Sequence, residues 1–132
     1  MIVRYLSHQD KFDPMNGQVV SGTDQLNELL TSRRNKPPFI AELSADNGFQ
    51  IIFGLGSDFG CVEYARTDGG LPYLMAVSAN PRLKVGDVEF FAANTLTPIA
   101  ARYILSFDEL TEIAAHFLKA GERSDAFSWE PI

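Results

Sequence analysis

Cysteine, tryptophan and histidine are nearly missing from this 132-residue chain, which has one Cys, one Trp and two His. A lone Cys61 excludes an internal disulfide and fits a reducing compartment. His8 and His116 lie far from it along the chain, so no zinc-ligand spacing arises. Basic residues are also in deficit, 11 against 17 acidic, for a net charge of −6. That balance repels phosphate backbones and argues against nucleic-acid binding. It favours a basic partner, or merely keeps the chain in solution. No apolar run approaches the ~20 residues of a membrane helix. The opening Met1-Ile2-Val3-Arg4-Tyr5-Leu6 lacks the basic-then-apolar plan of a signal peptide. The expectation is a cytoplasmic protein without membrane contact.

What is present is apolar bulk. Hydrophobic residues make up 45% of the chain and Phe alone occurs 10 times. That is enough for an aromatic-rich core in one domain over residues 1–132. The clearest element is a helix over residues 106–120. Ser106 and Glu109 form a capping box, with Leu105 and Leu110 placed as a hydrophobic staple. Asp108 and Glu109 suit the positive end of the helix dipole, and Lys119 suits the negative end. Phe107, Leu110, Ile113, Ala114, Phe117 and Leu118 make one apolar stripe. Gly121 supplies the left-handed C-terminal cap. A shorter helix begins with Thr23 or Asp24 as its cap and runs through Leu26, Leu29 and Leu30 to about residue 32. Arg33-Arg34-Asn35-Lys36-Pro37-Pro38 ends it.

Between the helices, alternation of apolar and polar residues marks strands. Phe39, Ala41 and Leu43 share a face, as do Phe49, Ile51, Phe53 and Leu55, with Asp46-Asn47-Gly48 turning between them. Further strands cover residues 61–66, 72–78, 88–92 and 99–105, residues 2–6 can form an edge strand, and residues 7–22 read as a loop. Short connections imply antiparallel pairing. The expected fold is therefore α+β. It is an antiparallel sheet of about six strands, with a short N-terminal helix and a longer C-terminal helix packed on it. One sheet face is then left partly open to a partner.

No catalytic motif emerges, and the chain reads as a non-enzyme without metal or cofactor. Gly54, Gly56 and Gly60 lack the spacing, the Lys-Ser/Thr pair and the following helix of a phosphate loop, so they read as a hairpin turn. Cys61 starts an apolar strand beside Glu63, which raises rather than lowers its pKa and leaves it inert. Asp46, Asp58, Glu63 and Asp68 fall around two adjacent hairpins. They form either an acidic patch for a basic protein surface or simply solvated turns. Tyr64 and Tyr73 are candidate aromatic anchors beside them. Trp129, close to the end of the sequence, points to a tail that folds back and packs as a short added strand, with use at an interface as the alternative.

The C-terminal third resembles the Imm-one family of immunity proteins from bacterial polymorphic-toxin systems. The resemblance rests on Pro98-Ile99, Ser106, Phe117-Leu118, Gly121 with Arg123, and Trp129. Tyr64, Asp68-Gly69-Gly70 and Phe90-Phe91 agree upstream. It implies a non-enzymatic protein that binds and neutralises a cognate toxin domain, with nucleic-acid deaminases and nucleases as associated toxin types. The structural members of the set are then Ser106, Glu109, Phe117, Gly121 and Trp129. Toxin contacts would come from Asp46, Asp58, Glu63, Tyr64, Asp68 and Tyr73. The rival readings are a small-ligand module, using a hollow near Cys61, Glu63 and Tyr64 between sheet and helix, and an adaptor or chaperone for a secreted effector.

Overall fold

The computed structural model describes residues 1–8, 10–35, 39–56, 58–78, 87–92 and 95–132. The C-terminal helix α2 runs over Phe107–Ala120, as its sequence signals require. The Glu109 N–H donates to Ser106 Oγ at 3.1 Å, and the Ser106 N–H donates to Glu109 Oε1 at 3.0 Å, closing the capping box. Gly121 terminates the helix at φ +67°, where an L side chain is strained. Leu110, Ile113, Ala114 and Phe117 are fully buried. Each large apolar side chain among them contributes roughly 1.5–3 kcal/mol.

Their floor is an antiparallel sheet. Its strands are β1 (Val3–Ser7), β2 (Phe39–Ala45), β3 (Phe49–Leu55), β4 (Phe59–Arg66), β5 (Tyr73–Val77) and, at the far edge, the tail strand β9 (Ser128–Pro131), in that spatial order. Alternation sends Val3, Tyr5, Ala41, Leu43, Ile51, Phe53, Leu55, Val62, Tyr64 and Ala76 to the helix side, where all are buried in one cluster. Gly60 on β4 has no room for a side chain. A Cβ there would collide with the Gly54 carbonyl and the Leu110 side chain of α2. Helix α2 therefore sits closest where the strand is barest. Trp129 on β9 packs against this cluster and donates its indole N–H to the Ser124 carbonyl at 2.8 Å, so the tail strand forms as expected.

The first helix, α1, covers Thr23–Arg34 and buries Leu26, Leu29 and Leu30. Its cap is Gly22, without a side-chain bond, rather than Thr23 or Asp24. Gln25 takes over by accepting from the Ser21 N–H at 3.0 Å. Arg33 and Arg34 extend the helix beyond the expected stop, and the stop at Lys36-Pro37-Pro38 lies outside the described residues.

The sheet differs from expectation in its membership. β6 (Asp87–Ala92) and β7 (Thr95–Ala100) pair only with each other, as a separate two-stranded ladder whose first strand approaches β2. The side chains of Phe90, Phe91 and Pro98 lie outside the described ones. The strand expected over residues 99–105 is broken. β7 is followed by a 3-10 turn, Ala101–Tyr103, and then by the two-residue strand β8 (Leu105–Ser106) beside Phe59 and Gly60. A straight strand cannot carry the chain from the β6–β7 side of the sheet to the helix side, and these turns make that passage.

The loop between β1 and α1 is tied down by Asp13, which is buried. It accepts from Tyr5 Oη at 2.8 Å, from Arg33 Nε at 2.8 Å and from the Met15 N–H at 2.9 Å, with a further bond from Arg33 Nη2. Burial alone would raise the Asp13 carboxyl. The bonds from Arg33, Met15 and Tyr5 outweigh it and hold the group below its ordinary value. A carboxyl lowered in this way stabilises the fold above its unfolded pKa, and that stability is lost as pH falls through the folded value. We expect Asp13→Ala to cost about 3–5 kcal/mol, because Arg33 keeps an uncompensated charge. Thermal melts at pH 7 should show that loss, and melts towards acid pH should show a shallower decline than in the parent.

Candidate open-face site

The strand positions that do not face the helices form the other side of the sheet, and register arranges them in cross-strand rows. At one end, Cys61, Met75, Tyr103 and Ile104 form a second buried cluster with Ile40, Phe59, Val77, Ile99 and Ala100 against it. At the other end a polar row runs Arg4, Ser44, Gln50, Ala65, Tyr73. Between them lies the row Leu6, Glu42, Ile52, Glu63, Met75, Glu130. Carboxylates on β2, β4 and β9 thus alternate with apolar side chains on the strands between.

The three carboxylates have different surroundings. Glu42 Oε1 lies 2.8 Å from His8 Nε2, and Ser44 Oγ donates to the other oxygen. The His8 bond draws the Glu42 carboxyl below its ordinary value against the effect of burial. Glu130 accepts from Arg102 Nε at 3.1 Å. Glu63, at the centre of the row and half-buried, has neither a hydrogen bond nor an ion pair among the described residues. Burial pushes its carboxyl up, with no opposing contribution. A charge left in this state costs stability.

Of the candidate contact residues, Glu63 and Tyr73 stand on this face. Asp46, Asp58 and Asp68 do not join them. In an antiparallel meander successive turns fall at opposite ends of the sheet. The Asp46 and Asp68 turns therefore lie together, linked by the Thr67 N–H donating to the Gly48 carbonyl at 2.9 Å, while Asp58 lies at the far end, 3.5 Å from Arg34. The expected grouping around two adjacent hairpins is corrected accordingly. Asp68 is engaged by Arg66 at 2.6 Å and by the Gly70 N–H at 2.8 Å, and Asp46 accepts from the Ile2 N–H at 3.1 Å. Tyr64 points to the helix side and is 3% exposed. It stacks on Phe49 at 5.1 Å between ring centroids, meets Trp129 edge-on at 6.1 Å, and lies under the Arg123 guanidinium. Its ring belongs to the core rather than to an accessible anchor.

The hollow required by a small-ligand module is filled, since Leu110, Ile113, Ala114 and Phe117 of α2 and the helix-side residues Ile51, Phe53, Val62 and Tyr64 are buried in one cluster. Cys61 is buried, and desolvation raises its thiol to about 12. It is no nucleophile at neutral pH. Glu42 and Glu130 were not among the candidates. The alternation around each was readable, but only the register places them in one row with Glu63.

The family model described as immunity protein Imm1 matches residues 16–131. No curated protein matches the chain.

A carboxyl whose folded pKa is raised carries no penalty below its unfolded pKa, and stability is lost as pH rises through the folded value. We therefore expect Glu63→Gln to be at least as stable as the parent at pH 7, with a gain of up to ~1 kcal/mol. The advantage should shrink as pH falls towards the unfolded carboxyl range. Thermal melts of both proteins from pH 4 to pH 8 check this.

Proposed function

The chain belongs to the family of Imm1 immunity proteins, and from that premise we propose that it neutralises one cognate toxin domain by binding it stoichiometrically. The toxin is of the nucleic-acid-targeting kind, a deaminase or a nuclease, and the chain acts in the cytoplasm without chemistry of its own. The observation that carries this reading is the sheet. One face is closed by two helices, and the other, covered at one end by Ile99, Ala100, Tyr103 and Ile104, presents a row of carboxylates in a chain of net charge −6. Enzymes that act on nucleic acids present basic clefts. An acidic protein is steered towards such a cleft and, once docked, excludes the nucleic acid from it. Asp46, Asp58 and Asp68, spread over both ends of the sheet, add to this long-range attraction. Glu63 and Tyr73 supply contacts on the open face.

The test is to co-express this chain with the toxin domain encoded immediately upstream of it, scoring survival and co-purification. We expect full rescue of growth and a stable complex. Loss of viability at equal expression, with no complex recovered, would remove that toxin as the partner. In vitro, toxin activity should fall linearly with added chain to an end point at one equivalent. A catalytic antidote would instead act at substoichiometric amounts.

A further inference from the structure

We infer that Glu63 is the receiving site for a cationic side chain of the toxin, an arginine or lysine that enters the open sheet face over Ile52. This deepens the proposed function and rests on it. The flanking carboxylates already hold bases from this chain, Glu42 with His8 and Glu130 with Arg102. Glu63 alone in the row has none among the described residues. Cross-strand neighbours Ile52 and Met75 flank it, so water serves it poorly, and no base among the described residues replaces the water. An arginine brought by a partner would pair with both carboxylate oxygens and recover the electrostatic energy that the isolated protein forgoes.

The surroundings fit a protein surface rather than a free cation. Strands are about 4.8 Å apart, so Glu42 and Glu63 stand about 10 Å apart with Ile52 between them. Leu6, beyond Glu42, is 44% exposed and prolongs the apolar contact. A single unassisted carboxylate does not make a metal site. The occupant is therefore a toxin surface that offers a cation at Glu63, an apolar group against Ile52 and Leu6, and, from the same basic cleft, positive potential towards Glu42.

The test uses the full chain and the purified toxin domain encoded upstream, inactivated by mutation of its own catalytic site. Binding kinetics are measured for the parent, Glu63→Gln, Glu63→Lys and the control Glu112→Lys, which reverses an exposed charge on α2. We expect Glu63→Gln to weaken binding about tenfold and Glu63→Lys by at least ~30-fold, chiefly through faster dissociation. Glu112→Lys should stay within about twofold of the parent. Glu63→Gln keeps the shape of the side chain, so its result stands even where the lysine variant folds poorly. Parent-like binding by Glu63→Gln and Glu63→Lys would overturn this inference while leaving the immunity function intact. Equal losses at Glu63 and Glu112 would overturn it in favour of diffuse charge attraction. Self-association of the parent that Glu63→Gln abolishes would make a second copy of this chain the occupant. Failure of the parent itself to bind would remove the proposed function with that toxin, and this inference with it.

Discussion

The fold depends on the contact between α2 and the β3–β4 pair. A sheet has two faces, and only one can be closed by a helix that shares its core. Ser106 and Gly121 fix where α2 starts and stops, and Gly60 removes the one side chain that would hold the helix away from the sheet. Once Leu110, Ile113 and Phe117 are buried on Ile51, Phe53 and Val62, the side of every other strand position is settled. A one-residue slip would invert all of them. The polar row on the open face is the complement of that packing: it holds what the core does not take.

One buried and one half-buried carboxylate show what the remaining charge is for. Asp13 is buried more deeply than Glu63, yet Arg33, Tyr5 and a backbone N–H satisfy it, and it joins a loop to a helix. Its role ends within the molecule. Glu63 is placed by the same sheet but receives no hydrogen bond or ion pair from the described residues. Proteins rarely retain an uncompensated half-buried charge without a use for it, and binding sites are where such local costs collect. The use we infer for it is contact with the toxin.

Much of the fold was legible because its signals are local. The capping box, the apolar stripe and Gly121 defined α2 nearly to the residue. Asn47-Gly48 marked a hairpin, and Trp129 foretold the returning tail strand. The separate β6–β7 ladder was not legible, because residues 88–92 alternate in the way any half-buried strand does. Nor was the break after Ala100, which answers to the need to cross the sheet. The site was readable in part. Strand alternation placed Glu63 and Tyr73 on one face, as the register does, but chain proximity wrongly grouped Asp58 with Asp46 and Asp68, since distance along a meander says little about which end a turn occupies. Tyr64 looked like an anchor because an aromatic residue on a strand reads the same from either face. Glu42 and Glu130 lie 21 residues before and 67 residues after Glu63. Only pairing through β3 and β5 puts them in its row.

The most direct measurement of the central claim is the titration of the Glu63 side-chain carboxyl by carbon-detected NMR, in the free protein and in its complex with the inactivated toxin domain. The account predicts a pKa above the ordinary glutamate value in the free chain, and a fall below that value when the toxin supplies the missing cation. An ordinary pKa in the free chain, or a raised one unchanged in the complex, would contradict it.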